Sequence, residues 1–216
     1  MKRMLVLMAA VLLLVYGSMN LVNAAPAGAQ ITAGSLETGT GTSSDNMTIN
    51  AGEVQAANIY GKTITAKWAG FYGNISGGIS LEDTSGNVFY NWSISDVTGA
   101  VVYAANGTVS GWTLLNASEA DMPAYVQGTA TDSFNNTFTQ SEQFVRPGGQ
   151  TVDNVLYATT YGAGTFKTYA LKTTGEIIFA GKSPGSQAGF NGGTVDYQIL
   201  VPAQSNTNYY FYLELP

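Results

Sequence analysis

Six asparagines stand in Asn-x-Ser/Thr triplets: Asn46, Asn74, Asn91, Asn106, Asn116 and Asn135. That triplet accepts an N-linked glycan, and the reaction needs water-facing backbone in an exported chain. Catalytic chemistry is sparse by comparison. There is no histidine and no cysteine, which excludes Ser-His-Asp and Cys-His nucleophiles, disulfides and His/Cys zinc sites. Carboxylates remain, and Glu119 with Asp121 and Glu82 with Asp83 are the nearest pairs in sequence. A glycosidase needs two carboxyls about 5–10 Å apart across a cleft, and solvated turn or cap carboxylates are the simpler reading of both pairs. Glu82, Asp83 and Asn87 could gather calcium, but they bracket Asp-Thr-Ser-Gly-Asn, a plain turn sequence. Residues 56–63 (AANIYGKT) end like a phosphate loop, yet Ala56 occupies the place of the first glycine. The sequence therefore reads as a non-enzyme with no cofactor and no metal.

The aromatic residues are a fuller signal. Trp68, Phe71, Tyr72, Trp92 and Trp112 could form a platform on which a sugar stacks, and Trp68, Tyr72 and Trp112 are the ligand-binding candidates. The competing reading places the tryptophans in the core, where such rings usually reside. The closing run Tyr209-Tyr-Phe-Tyr-Leu-Glu-Leu215 carries bulky side chains on both strand faces. Such a strand is buried on both sides or docks a partner.

The elements that must hold these residues begin with a secretory signal over residues 1–24. Lys2 and Arg3 start it, Met4–Tyr16 forms a continuous apolar run, and small residues offer cleavage after Ala24 or after Ala29. Cleavage leaves a chain of about 192 residues, with no membrane span expected in it. Residues 25–45 are rich in Gly, Ala, Ser and Thr and read as a flexible leader. The whole chain carries 8 Lys+Arg against 14 Asp+Glu, a net charge of −6. That balance argues against a nucleic-acid partner, whose affinity rests on basic side chains.

Residues 46–216 read as all-β: an antiparallel β-sandwich-like domain of short hairpins. Thr63, Thr65 and Lys67 alternate with Ile64, Ala66 and Trp68, the period of a half-buried strand. Turn signals fall at residues 83–87, at Asn106-Gly107 and at Thr173-Thr-Gly175. The best helix candidate is short, over residues 116–122, with Ser118 as its candidate cap and Pro123 as its stop. Residues 146–150 (Arg-Pro-Gly-Gly-Gln) form the clearest internal break, read as a long crossover within one body. The sequons also orient strands, because side chains alternate. Asn91 facing out turns Val88, Tyr90, Trp92 and Ile94 inward. Asn74 facing out brings Tyr72 and Ser76 with it and turns Phe71 and Ile75 inward.

Several segments together are similar to a group of exported archaeal proteins of unassigned function. They are residues 67–77, Leu81 to Trp92, residues 131–139, Gly189 to Gln198 with Val201-Pro202, and Tyr209 to Leu213. More loosely, the chain resembles subunits of archaeal extracellular filaments. That resemblance implies a glycosylated, cysteine-free β-sandwich whose N-terminal segment, here residues 25–60, completes the sheet of the next subunit.

These readings converge on a secreted, N-glycosylated structural protein of the cell surface or of an extracellular filament. Its partner would be itself or a component of the cell envelope. The sequons end at Asn135, so the bare region after it is expected to hold the assembly surface. The alternative is a carbohydrate- or peptide-binding β-sandwich module.

Overall fold

The computed structural model describes residues 44–47, 56–63, 67–76, 78–82, 88–162, 165–203 and 208–216. The signal segment 1–24 and the leader up to residue 43 lie outside them. The described chain is mostly antiparallel sheet with almost no helix. In order, its elements are β1 (Ser44–Met47), β2 (Ala56–Thr63), β3 (Trp68–Gly73), β4 (Ile75–Ser76), β5 (Gly78–Glu82), β6 (Val88–Ser93), β7 (Val101–Ala105) and β8 (Leu115–Asn116). Two 3-10 turns (Glu119–Asp121 and Ala124–Val126) and a single helical turn, α1 (Phe134–Thr137), follow. The rest is β9 (Gln140–Val145), β10 (Thr151–Thr159), β11 (Lys167–Lys172), β12 (Ile177–Lys182), β13 (Gln187–Ala188), β14 (Thr194–Val195), β15 (Tyr197–Pro202) and β16 (Tyr210–Glu214).

Two sheets stack. The smaller has the order β1-β2-β3-β15, with β4 beside β2. The larger has the order β16-β7-β12-β11-β10-β9, with β8 beside β11. Side chains from both fill the space between them. Trp68, Phe71, Ile199 and Val201 come from the small sheet, and Val102, Ala104, Phe179 and Phe211 from the large one. The connection over residues 118–138 closes one end of this core with Met122, Val126, Phe134 and Phe138. Phe138 stacks on Phe134 (4.9 Å between ring centroids) and also meets Trp68 and Phe179. Each such ring removed from water contributes about 1.5–3 kcal/mol.

The large sheet has a second buried face. Val101, Tyr103 and Ala105 of β7 point away from the small sheet and join Val155, Tyr169, Leu171, Ile178 and Tyr212. This is why β7 reads as the unbroken apolar run Val-Val-Tyr-Ala-Ala, as strands covered on both faces do. Val109, Trp112 and Leu114 cover that face. They belong to the irregular segment after Asn106-Gly107, which is not the hairpin turn its sequence suggests. Asn106 instead bonds across to β12: its N–H donates to the Ile177 carbonyl (3.2 Å) and its Oδ1 accepts from the Ile177 N–H (2.9 Å). The chain then leaves the sheet to cover it.

Residues 146–150 are also not a crossover. They are the turn of the β9–β10 hairpin, closed by Arg146 N–H to the Gln150 carbonyl (3.1 Å). Asn154, in the left-handed backbone region (φ 55°), marks a register shift in β10 between Val152 and Val155. The turn at residues 173–175 does join β11 to β12, as its sequence suggests. The short helix expected near Ser118 is the 3-10 turn Glu119–Asp121, with Ser118 at its N-cap.

The strand sidedness inferred from the sequons is met in part. Phe71 and Ile75 are buried and Ser76 is exposed. Tyr72 is buried rather than water-facing, because Phe166 and Val195 pack over the outer side of the small sheet. Tyr90 points the other way from the expectation and is 55% exposed. The turn at residues 83–87 lies outside the described residues. No helix among the described residues is long and apolar enough to cross a membrane.

Candidate functional site

Asn106, Asn116 and Asn135 lie on the surface. Asn106 uses its carboxamide oxygen for the bond to Ile177, not the nitrogen to which a glycan attaches. Asn116 Nδ2 donates to the Asp153 carbonyl (2.6 Å), and Asn135 Nδ2 donates to Glu119 Oε2 (2.6 Å). Asn74 is half-buried, and its Oδ1 is enclosed without a hydrogen-bond partner among the described residues. Asn46 and Asn91 lie in β1 and β6, with side chains outside the described set.

Glu119 and Asp121 are held in structural contacts. Glu119 Oε1 accepts from the Gly128 N–H (2.8 Å) while Oε2 holds Asn135. Asp121 accepts from the Ser118 N–H and hydroxyl (2.7 and 2.8 Å) and from Lys172 Nζ (2.5 Å). The Lys172 hydrogen bond, helped by Ser118, holds the Asp121 carboxyl below the usual range. Asp83 and Asn87 lie outside the described residues, as does the side chain of Glu82. Among the described residues no three carboxylates converge on a metal-sized site.

The three ring candidates do not share a surface. Trp68 is 2% exposed, and its indole N–H donates to the Asp132 carbonyl (2.7 Å). Trp112 is half-buried, edge-on to Tyr103 and Tyr212 (5.1 and 4.9 Å), with the Arg146 guanidinium 5.9 Å from its ring centroid. They pack in different apolar clusters, on the two faces of the large sheet. Tyr72 belongs to a third cluster and lies at an opening. The Trp92 side chain lies outside the described set.

That opening is a cleft of about 390 Å³ on the outer side of the small sheet. Its floor is the paired backbone of β3 and β15, with Tyr72 opposite Gln198 and Gly70 opposite Leu200. Strand alternation puts Gly70 on the same face as Tyr72, so a missing side chain leaves space beside that ring. Two loops form the walls. One, after β10, carries Thr160 and Tyr161; the other, between β13 and β14, carries Phe190. Tyr161 is 91% exposed and Phe190 is 39% exposed. Phe190 meets Tyr72 edge to face at 4.9 Å.

Gln198 holds the two loops together. It is 4% exposed. Its Nε2 donates to Thr160 Oγ1 and to the Tyr161 carbonyl, both at 2.8 Å, and its Oε1 accepts from the Phe190 N–H at 2.7 Å. Both of its donors are thus satisfied inside the wall, as a buried amide requires. Two glycines permit the close approach. A Cβ on Gly162 would sit 2.9 Å from the Ala188 carbonyl oxygen, and one on Gly189 would sit 2.9 Å from Gln198 Oε1. The walls therefore hold their exposed rings on a fixed backbone. Sequence reasoning passed over Tyr161, Phe190 and Gln198. Their signal is an aromatic beside glycine in each loop, Tyr161-Gly162 and Gly189-Phe190, with nothing local to show that the loops meet.

A second constellation is a buried ion pair on the far side of the large sheet. Arg146 Nε lies 3.0 and 3.1 Å from the two Glu214 oxygens. Nη2 is 3.0 Å from Oε1 but off the hydrogen-bond direction, so its attraction there is Coulombic. Tyr103 donates to Glu214 Oε2 (2.6 Å), the Gly148 N–H donates to Oε1 (2.9 Å), and Arg146 Nη1 donates to the Trp112 carbonyl (2.9 Å). Burial, then the Glu214 charge, pushes the Tyr103 hydroxyl far above its ordinary value. With both carboxylate oxygens engaged and the pair buried, this cluster fastens β16, the 146–150 turn and the 106–114 segment to one another. Compared with known proteins, the chain matches no family model, no curated protein and no solved structure.

Proposed function

We propose that this is an exported, N-glycosylated structural protein of the cell surface that assembles with copies of itself through its large sheet. The observation that carries the reading is the position of β16. It is an end strand of the large sheet, and among the described residues nothing pairs with its outer edge. Four of its five residues are nevertheless buried, from both faces. An exposed edge is a template for strand addition, and buried faces keep that edge rigid. The three sequons with exposed asparagines lie between residues 106 and 135, and none lies in β16. Asn116 and Asn135 lie in stretches that do not pair with β16, while Asn106 follows Ala105, the partner of Tyr210, at one end of that strand. The signal-like N-terminus and the lack of histidine and cysteine also favour an extracellular, non-catalytic role.

The test is sedimentation and electron microscopy of protein purified from its own host, with peptide mapping of Asn106, Asn116 and Asn135. Ordered multimers carrying glycans are expected. Protein that stays monomeric at high concentration would remove the assembly role. Unmodified asparagines at all three positions would remove the glycan assignment at the exposed sequons.

A further inference from the structure

The geometry points to the cleft over β3 and β15 as a binding site for a neutral sugar unit, a function separate from assembly and resting on different residues. Its volume of about 390 Å³ lies within the ~300–1,000 Å³ range of small-molecule sites. A pyranose has C–H groups on its faces and hydroxyls round its rim. It needs flat apolar rings beside hydroxyl and amide partners. The cleft supplies both: the rings of Tyr161, Phe190 and Tyr72, and the hydroxyls of Thr159 and Thr160. Thr160 Oγ1 accepts from Gln198, which leaves its own O–H to donate.

Two properties narrow the ligand class. Among the described residues no carboxylate, ammonium or guanidinium group lines the cleft, so they offer nothing to an acidic sugar or a phosphate. The floor is a sheet face, where β3 pairs with β15 on one side and β2 on the other, so an extended peptide laid on it meets side chains and not the edge of a strand. The site is preorganised, because Gln198 ties both ring-bearing loops together before any ligand arrives. Tyr161 is the largest open ring, and its exposure makes a binding role separable from a folding role.

The experiment uses the full exported chain. A glycan array of neutral and acidic oligosaccharides selects a probe, and saturation-transfer NMR with a neutral disaccharide such as maltose or cellobiose locates it. Neutral glycans are expected to bind with magnetisation transfer from Tyr and Phe ring protons. Tyr161→Ala and Phe190→Ala should each weaken binding about tenfold, the usual loss for a central aromatic contact. Gly70→Val should abolish it by filling the floor beside Tyr72. Circular dichroism should be unchanged for Tyr161→Ala, whose ring supports nothing in the fold. No bound neutral glycan, binding confined to acidic glycans, or binding that survives both ring deletions would each overturn the proposal. A monomeric protein that still binds sugar would sink only the assembly reading, and a multimer that binds none only this one.

Discussion

The two faces of the large sheet are both dry, yet they are covered by different means. The inner face meets a second sheet, and its rings are mostly phenylalanines with few polar atoms to satisfy. The outer face meets an irregular segment, and its rings are mostly tyrosines. Three of the hydroxyls there have partners. Tyr103 donates to Glu214, Tyr212 accepts from the Val109 N–H (3.1 Å), and Tyr169 donates to Glu142. A sheet satisfies its own backbone groups before it packs, whereas a covering loop arrives with unpaired N–H and C=O groups. Tyr212 answers one of them, at the Val109 N–H, while Tyr103 and Tyr169 reach carboxylates on strands; apolar area with a polar tip suits a loop lid, and plain rings suit a sheet lid. The difference shows that burial alone does not decide residue type. The hydrogen-bond needs of the covering element decide it as well.

Substitutions that attack one face can break this comparison. Glu214→Ala is expected to have the largest effect, about 3–5 kcal/mol in urea unfolding, because it strands the Arg146 charge in a dry site. Glu214→Gln should lose less, since its one amide oxygen keeps an acceptor for either Tyr103 or Gly148. Phe138→Ala on the inner face is expected to cost about 3–5 kcal/mol by opening a cavity. Here Phe138→Leu should recover most of the loss, whereas no single apolar residue at Glu214 should do so. Equal rescue at the two positions would erase the distinction between the faces.

A medium effect is expected where the cleft walls meet. Gly189→Ala should cost about 1–3 kcal/mol through overpacking against Val195 and Gln198, with faster amide exchange at Phe190. Tyr169→Phe should cost about 0.5–1.5 kcal/mol, the usual net value of one hydrogen bond.

The smallest effects are electrostatic. Burial works upward on Glu142, but hydrogen bonds from Lys167 and Tyr169 outweigh it and hold the carboxyl below its ordinary range. Asp121 is lowered too, chiefly by Lys172. A carboxyl lower in the folded than in the unfolded chain stabilises fully above the unfolded value, about 4. That contribution disappears as pH falls through the folded values. Urea midpoints should therefore be level near neutrality and drop below about pH 4, and Glu142→Gln should flatten part of the drop. An acid limb unchanged by Glu142→Gln would show that this partly exposed pair contributes nothing.

Local chemistry made the β11–β12 hairpin readable from sequence, because Thr173–Gly175 is a turn between two apolar strands. The same rule fails at Asn106-Gly107. There the side chain has a better bond at Ile177, which lies 71 residues away and invisible to any local pattern. Sidedness was readable at Phe71 and Ile75 on the inner face. It was hidden at Tyr72, where a third layer of Phe166, Val195 and Phe190 covers what alternation assigns to water. The all-β class follows from periodicity. The cleft does not, since it arises where two loops separated by nearly thirty residues are joined by one buried glutamine.

The position of β7 also governs the order of folding. β9 to β12 form a meander of neighbours that can close by successive short turns. β7 must find β12 on one side and, more than a hundred residues along the chain, β16 on the other. The small sheet closes over a similar span when β3 meets β15. Long closures form slowly because the chain loses its entropy before contacts form. Until both clasps shut, β7 carries two naked apolar sides, and a crowd of unfinished chains would be prone to trade strands with one another.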